Sequence, residues 1–114
     1  MPDLFDQIRA LRIREERRSQ TGDPDLETLL LVVHAAEEAS EAVEAYRGSR
    51  SWGTNGVATT APTEAYDELC AAVVAGFIAL DRVCPDARTH WERYLIFGYE
   101  RATRENTAAA NSAP

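Results

Sequence analysis

Three features of the sequence predict an all-α protein, a small bundle of about four helices. Apolar residues recur at helical spacing, helix-starting and helix-stopping residues bracket each stretch, and two-residue alternation appears nowhere. Leu4, Ile8 and Leu11 mark a first helix near 3–19, with Arg9, Arg12, Arg14, Arg17 and Arg18 alongside as a solvated or pairing face. Asp23 can cap the second helix, Pro24 suits its first position, and Asp25 and Glu27 favour the positive end of its dipole. This helix is expected to reach about Arg47 and stop at Gly48. The stretch 48–61, GSRSWGTNGVATTA, reads as the one long loop. Pro62 and Thr63 open a third helix to Val83, ended by Cys84-Pro85, and Asp86 can cap a fourth over about 87–104. Residues 1–104 form the expected helical domain, and 105–114 form a mobile tail without pattern.

Composition narrows the partners. The chain has 114 residues and a net charge of −7, and its twelve basic residues are all Arg. Outside residues 9–18 there is no basic cluster, so the positive field that nucleic-acid binding requires is missing. The N-terminus has no apolar signal region and no apolar run reaches the ~18 residues of a membrane span, which predicts a cytoplasmic protein with no membrane partner. Cys70 and Cys84 fall in one predicted stretch of helix, about 21 Å apart at 1.5 Å per residue, so they cannot pair there. They read as reduced, small core residues. No Ser-His-Asp or Cys-His arrangement, phosphate-cradling Gly-rich loop or zinc spacing stands out. His90 has no chemical constellation around it.

The second and third helices carry the informative patterns. From Leu69 to Leu80 the chain has no charged residue, so the third helix should be central. Its acidic residues, Glu64, Asp67 and Glu68, cluster at its start, and Ala71, Ala72 and Ala75 project within about 60° of Glu68. On the second helix Glu37, Glu38, Glu41 and Glu44 span about 120°, in the same arc as Leu30 and His34. Val32, Ala35, Ala36, Ala39, Ala42, Val43 and Tyr46 lie opposite them. Such a stripe either faces water or holds a cation. Like charges this close repel, and a hard divalent cation relieves the conflict. Glu38 and Glu41, at i and i+3, can reach one ion together, and Glu68 could close the site from the next helix.

The run from 26 to 83 resembles the MazG-like branch of the all-α nucleoside triphosphate pyrophosphohydrolases, a superfamily that includes dimeric dUTPases and phosphoribosyl-ATP pyrophosphohydrolases. The marks are EExxE on one helix, matched by Glu37, Glu38 and Glu41, and a second acidic motif on the next, matched at Glu68-Leu69-Cys70. Relatives place an Asp at the position of Ala71, and often a Lys at that of His34. A literal ExxD, Glu64-Ala65-Tyr66-Asp67, stands four residues earlier, in a register that misaligns the segment after it.

The resemblance implies an enzyme that splits NTP and water into NMP and pyrophosphate with Mg²⁺, or with Mn²⁺ in its place. It implies Glu38, Glu41 and Glu68 as metal ligands, Ala71 as the position of a missing fourth, and Glu37 as the group that positions or deprotonates the attacking water. Arg47 and Arg50 are the nearest cations for the leaving pyrophosphate, although Arg47 equally suits the end of its helix dipole. The base could stack on Trp52 or Tyr46, and His34 could donate into the pocket or be structural. Trp91, Tyr94 and Leu95, at i, i+3 and i+4, read as core or subunit contact before base platform. The change at Ala71 implies weakened or lost activity, and the alternative is a non-catalytic nucleotide-binding or interaction module that keeps the fold. Relatives pair helices across a two-fold axis, and an all-round apolar helix needs more cover than so thin a chain gives. A homodimer, or a tetramer, is therefore expected.

Overall fold

The computed structural model describes residues 1–52 and 56–112 and is all-helical there, with four helices and no strand. They are α1 (Leu4–Arg18), α2 (Pro24–Ser49), α3 (Pro62–Val83) and α4 (Ala87–Ser112). The chain divides into two compact units, Met1–Val83 and Cys84–Pro114. The first holds three helices, with α3 packed against both α1 and α2. No helix among the described residues is long and apolar enough to cross a membrane.

Each helix start has a local cause. Asp3 caps α1 in a reciprocal box with Asp6, which satisfies two backbone N–H groups. Asp23 accepts from the N–H groups of Asp25 and Leu26, with Pro24 at the first helical position, as its sequence pattern predicts. Asp86 accepts from the Thr89 N–H at 3.3 Å at the head of α4.

Two ends differ from expectation. Gly48 does not stop α2, which continues to Ser49, and Ser51 (φ 62°) takes the left-handed turn. Gly48 serves close approach instead. Its carbonyl accepts from the Thr59 N–H at 3.1 Å, and a Cβ there would lie 2.5 Å from Thr60 Oγ1. Of the expected loop, residues 53–55 lie outside the described residues. The segment 105–112, expected to lack structure, is helical, and α4 runs to Ser112. Ala108, Ala109 and Ala110 are strong helix formers, Arg101 pairs with Glu105 at 3.0 Å one turn apart, and no Gly or Pro follows Gly98 until Pro114. Propensity carries the helix past the end of its apolar pattern.

The core of the first unit is small. Ile8, Leu31, Ile78 and Ala79 form its buried cluster, with Leu11, Ala35, Val74 and Phe77 packed on it and Phe5 edge-on to Phe77 at 5.6 Å. Helix α3 is covered on one side only. Tyr66, Leu69 and Val73 are half-exposed or more, so its apolar girth exceeds what one chain buries. Cys70 is exposed and Cys84 partly so, so neither is the core residue expected.

A polar clamp locks the helices at the far end of α3. The Asp81 carboxylate is buried, accepts from Arg12 Nε at 2.7 Å and lies 3.5 Å from Arg9. Arg82 pairs with Glu16, donates to Thr28 Oγ1 at 2.9 Å and to the Pro24 carbonyl at 3.1 Å, and lies 3.9 Å from Glu27. Arg14 and Arg18 pair with Glu15. Arg9, Arg12, Arg14 and Arg18 of α1 thus form a pairing face.

Candidate metal centre

Helices α2 and α3 run antiparallel, since Arg82 meets Thr28 at one end and Glu68 meets Glu38 and Glu41 towards the other. This arrangement brings the carboxylates of Glu38, Glu41 and Glu68 together, one oxygen of each lying within 4.8 Å of the others. Glu38 and Glu68 are half-buried and Glu41 is exposed. The i, i+3 spacing sets the first two on one side of α2, and the small neighbours of Glu68 let the helices approach. All donors are hard oxygens. Ligands of a Mg²⁺ ion at about 2.1 Å stand about 3.0 Å apart when adjacent and about 4.2 Å when opposite, so side-chain rotation that draws the three oxygens closer would let them share a hard divalent cation.

Two clefts border this triad, and an apolar groove lies farther along the same two helices. A cleft of about 520 Å³ is lined by Glu41, Glu44, Glu64, Asp67 and Glu68, with Ser40, Ala45 and Thr60 completing it. Glu64 and Asp67 therefore line the approach to the triad without joining it. Sequence reading missed Thr60 and Ser40, which no spacing rule singles out. A smaller cleft of about 150 Å³ holds Ala71 and Ala75 beside Glu38, His34 and Arg14. The groove, of about 320 Å³, is wholly apolar and is lined by Ala39, Val43, Tyr46, Leu69 and Ala72 among others. Ala72, projected from the sequence onto the same face as Ala71, belongs to this groove.

The other expected site residues fall around the triad unevenly. His34 Nε2 lies 3.5 Å from Glu38 Oε1, so it touches a triad member. Glu37 is exposed and stands outside the triad, because one residue along the helix turns it about 100° from Glu38. Arg47 Nη1 lies 3.4 Å from Glu44, at the last turn of α2. Arg50 lies over the Trp52 ring, 5.6 Å from its centroid, and Trp52 meets Tyr46 edge-on at 5.6 Å. In α4, Trp91 stacks on Tyr94 at 6.4 Å, while Tyr94 and Leu95 are exposed and not core. No family model, curated protein or solved structure matches the chain.

Proposed function

We propose that the chain is a divalent-metal-dependent nucleotide pyrophosphohydrolase, converting an NTP and water into NMP and pyrophosphate. The observation that carries this reading is the convergence of Glu38, Glu41 and Glu68 from two antiparallel helices, beside a cleft large enough for a phosphate chain. In this reading the three carboxylates hold Mg²⁺ or Mn²⁺. Bound there, the ion neutralises phosphate charge and polarises the linkage to be cut.

The chain's own groups supply the rest. Glu37 reaches the attacking water only if the substrate extends over the outer side of α2, since it stands outside the triad. Arg47 and Arg50 are the cations nearest the end of α2, and both would exchange present partners, Glu44 and the Trp52 ring, for pyrophosphate. Trp52 and Tyr46 offer ring faces to a base. The protein in this reading acts in the cytoplasm, as a homodimer or tetramer, without nucleic acid or membrane as partner.

One observation favours a second reading. Ala71 offers no ligand where the cleft meets Glu38, which suits a non-catalytic nucleotide-binding or interaction module.

The test is incubation with Mg²⁺ and a panel of NTPs, dNTPs and (p)ppGpp-type nucleotides, read by pyrophosphate release. The hydrolase reading expects release that Glu38→Gln, Glu41→Gln and Glu68→Gln each abolish. Thermal melts add an independent readout, since an ion that binds only the folded triad raises the melting temperature. A metal-dependent rise without turnover favours the second reading; no rise at all overturns the metal site.

A further inference from the structure

We propose that the small cleft bounded by α1, α2 and α3 seats a cytosine base, which makes cytosine nucleotides the ligand class of this site. The inference rests on the reading that the chain binds a nucleotide at the triad. That triad stands at the junction of two clefts: Glu38 lines the smaller, of about 150 Å³, while Glu41 and Glu68 line the larger, of about 520 Å³. A nucleotide with its α-phosphate at the triad has two ways to extend. Its phosphate chain suits the larger cleft, towards Arg47 and Arg50, and its nucleoside suits the smaller. The floor of the smaller cleft is apolar, from Leu31, Ala75 and Ile78, all buried, with Val74 half-buried beside them. Its rim is polar, with Arg14 and Glu15 from α1 and His34 from α2. An apolar body with a few convergent polar groups is the usual form of a small-molecule site.

Size and polarity select the base. A cavity of about 150 Å³ is of the order that takes one six-membered ring, so the cleft fits a pyrimidine and is short of room for the fused rings of a purine. At the rim Arg14 Nη2 lies 3.4 Å from Glu15 Oε1, which sets a forked donor and a carboxylate acceptor side by side. Arg18 also approaches Glu15 at Oε1, and no described residue donates a hydrogen bond to Oε2. Cytosine presents an amino donor followed by two acceptors, N3 and O2. Glu15 accepts from the N4 amino group, and the Arg14 fork donates to N3 and O2. Uracil carries a carbonyl where cytosine carries the amino group, so it sets an acceptor against the Glu15 carboxylate. His34 Nε2, 3.5 Å from Glu38, stands on the side next to the triad, where the sugar passes. This seat is distinct from the Tyr46–Trp52 pair, since Tyr46 projects about 120° round α2 from His34.

Calorimetric titration of the full chain with CMP, UMP, AMP and GMP, with Mg²⁺ present, reads base preference whether or not the chain hydrolyses NTP. CMP should bind about tenfold more tightly than each of the others. Glu15→Gln should weaken CMP about tenfold and bring CMP and UMP within about twofold of each other, because an amide can donate to the uracil carbonyl. The Mg²⁺-dependent rise in melting temperature should persist in this variant, since Glu15 stands outside the triad. Should Glu15→Gln fail to fold, Ala71→Leu still decides: it fills the same cleft from an exposed position and should abolish CMP binding. Equal affinity for CMP and UMP, tighter binding of a purine nucleotide, or a CMP preference that survives Glu15→Gln would overturn the proposal. So would CMP binding that Trp52→Ala removes and Ala71→Leu spares, which seats the base on Trp52. Binding of none of the four, with Mg²⁺ still raising the melting temperature, overturns this seat and the nucleotide reading together and leaves the metal site standing. Pyrophosphate release without preference among bases overturns the seat alone.

Discussion

Arg12 and Asp81, sixty-nine residues apart, meet through a 2.7 Å hydrogen bond from the guanidinium Nε to a carboxylate whose side chain is 2% exposed. A charge so enclosed needs its partner. Arg12→Leu should cost about 3 kcal/mol, the lower end for breaking a buried pair, because Arg9 remains 3.5 Å away. The double replacement Arg12→Leu with Asp81→Leu should cost much less than the single change, since it leaves no uncompensated charge. Urea denaturation of the four members of this cycle measures the difference.

Gly48 and Thr60 are in contact where the loop returns to α2. Gly48→Ala should destabilise the chain by about 1–3 kcal/mol, because a Cβ 2.5 Å from Thr60 Oγ1 and 2.9 Å from Thr59 Oγ1 forces the loop away. Ala is otherwise favoured over Gly within a helix by about 1 kcal/mol. Adding Thr60→Ala should therefore recover a large part of the loss, and melting temperatures of the single and double variants test this.

Ala71 lies in the cleft that also holds Glu38 and His34, and the roughly 150 Å³ there can accept a carboxylate. Ala71→Asp should tighten divalent-cation binding and create or raise pyrophosphate release. Without metal it should lower the melting temperature, because it brings another negative charge towards the triad. Paired melts with and without Mg²⁺ decide. Equal destabilisation in both, with no added turnover, would assign position 71 to packing alone.

Glu27 titrates below its ordinary value of 4.5, chiefly because the Thr21 N–H donates to its carboxylate at 2.7 Å. Gly22 N–H, the Thr21 hydroxyl and Arg82 add to the shift. A carboxylate lowered in the folded state contributes stability above its unfolded value, and that contribution is lost as pH falls through the folded one. The parent chain should thus lose melting temperature on acidification below pH 4.5, and Glu27→Gln should show a shallower loss over that window.

The sequence by itself determined the helices of this protein and the residues that punctuate them, because capping and apolar spacing act within a few residues. Asp23-Pro24, Pro62 and Asp86 open their helices as their chemistry requires. The acidic repeat on α2 was equally legible, and it marked Glu38 and Glu41, with Glu64, Asp67 and Glu68 as the acidic candidates on α3. Tertiary structure alone decided which carboxylates converge, since the angle and register of α3 against α2 select Glu68 for the triad and leave Glu64 and Asp67 along the cleft. It also decided the burial of Asp81, whose partner arrives from a helix almost seventy residues earlier, and the use of Gly48 as a contact where the sequence suggested a stop. In each case the cause is a long-range contact, and no local spacing encodes which side chains from distant segments will share one space.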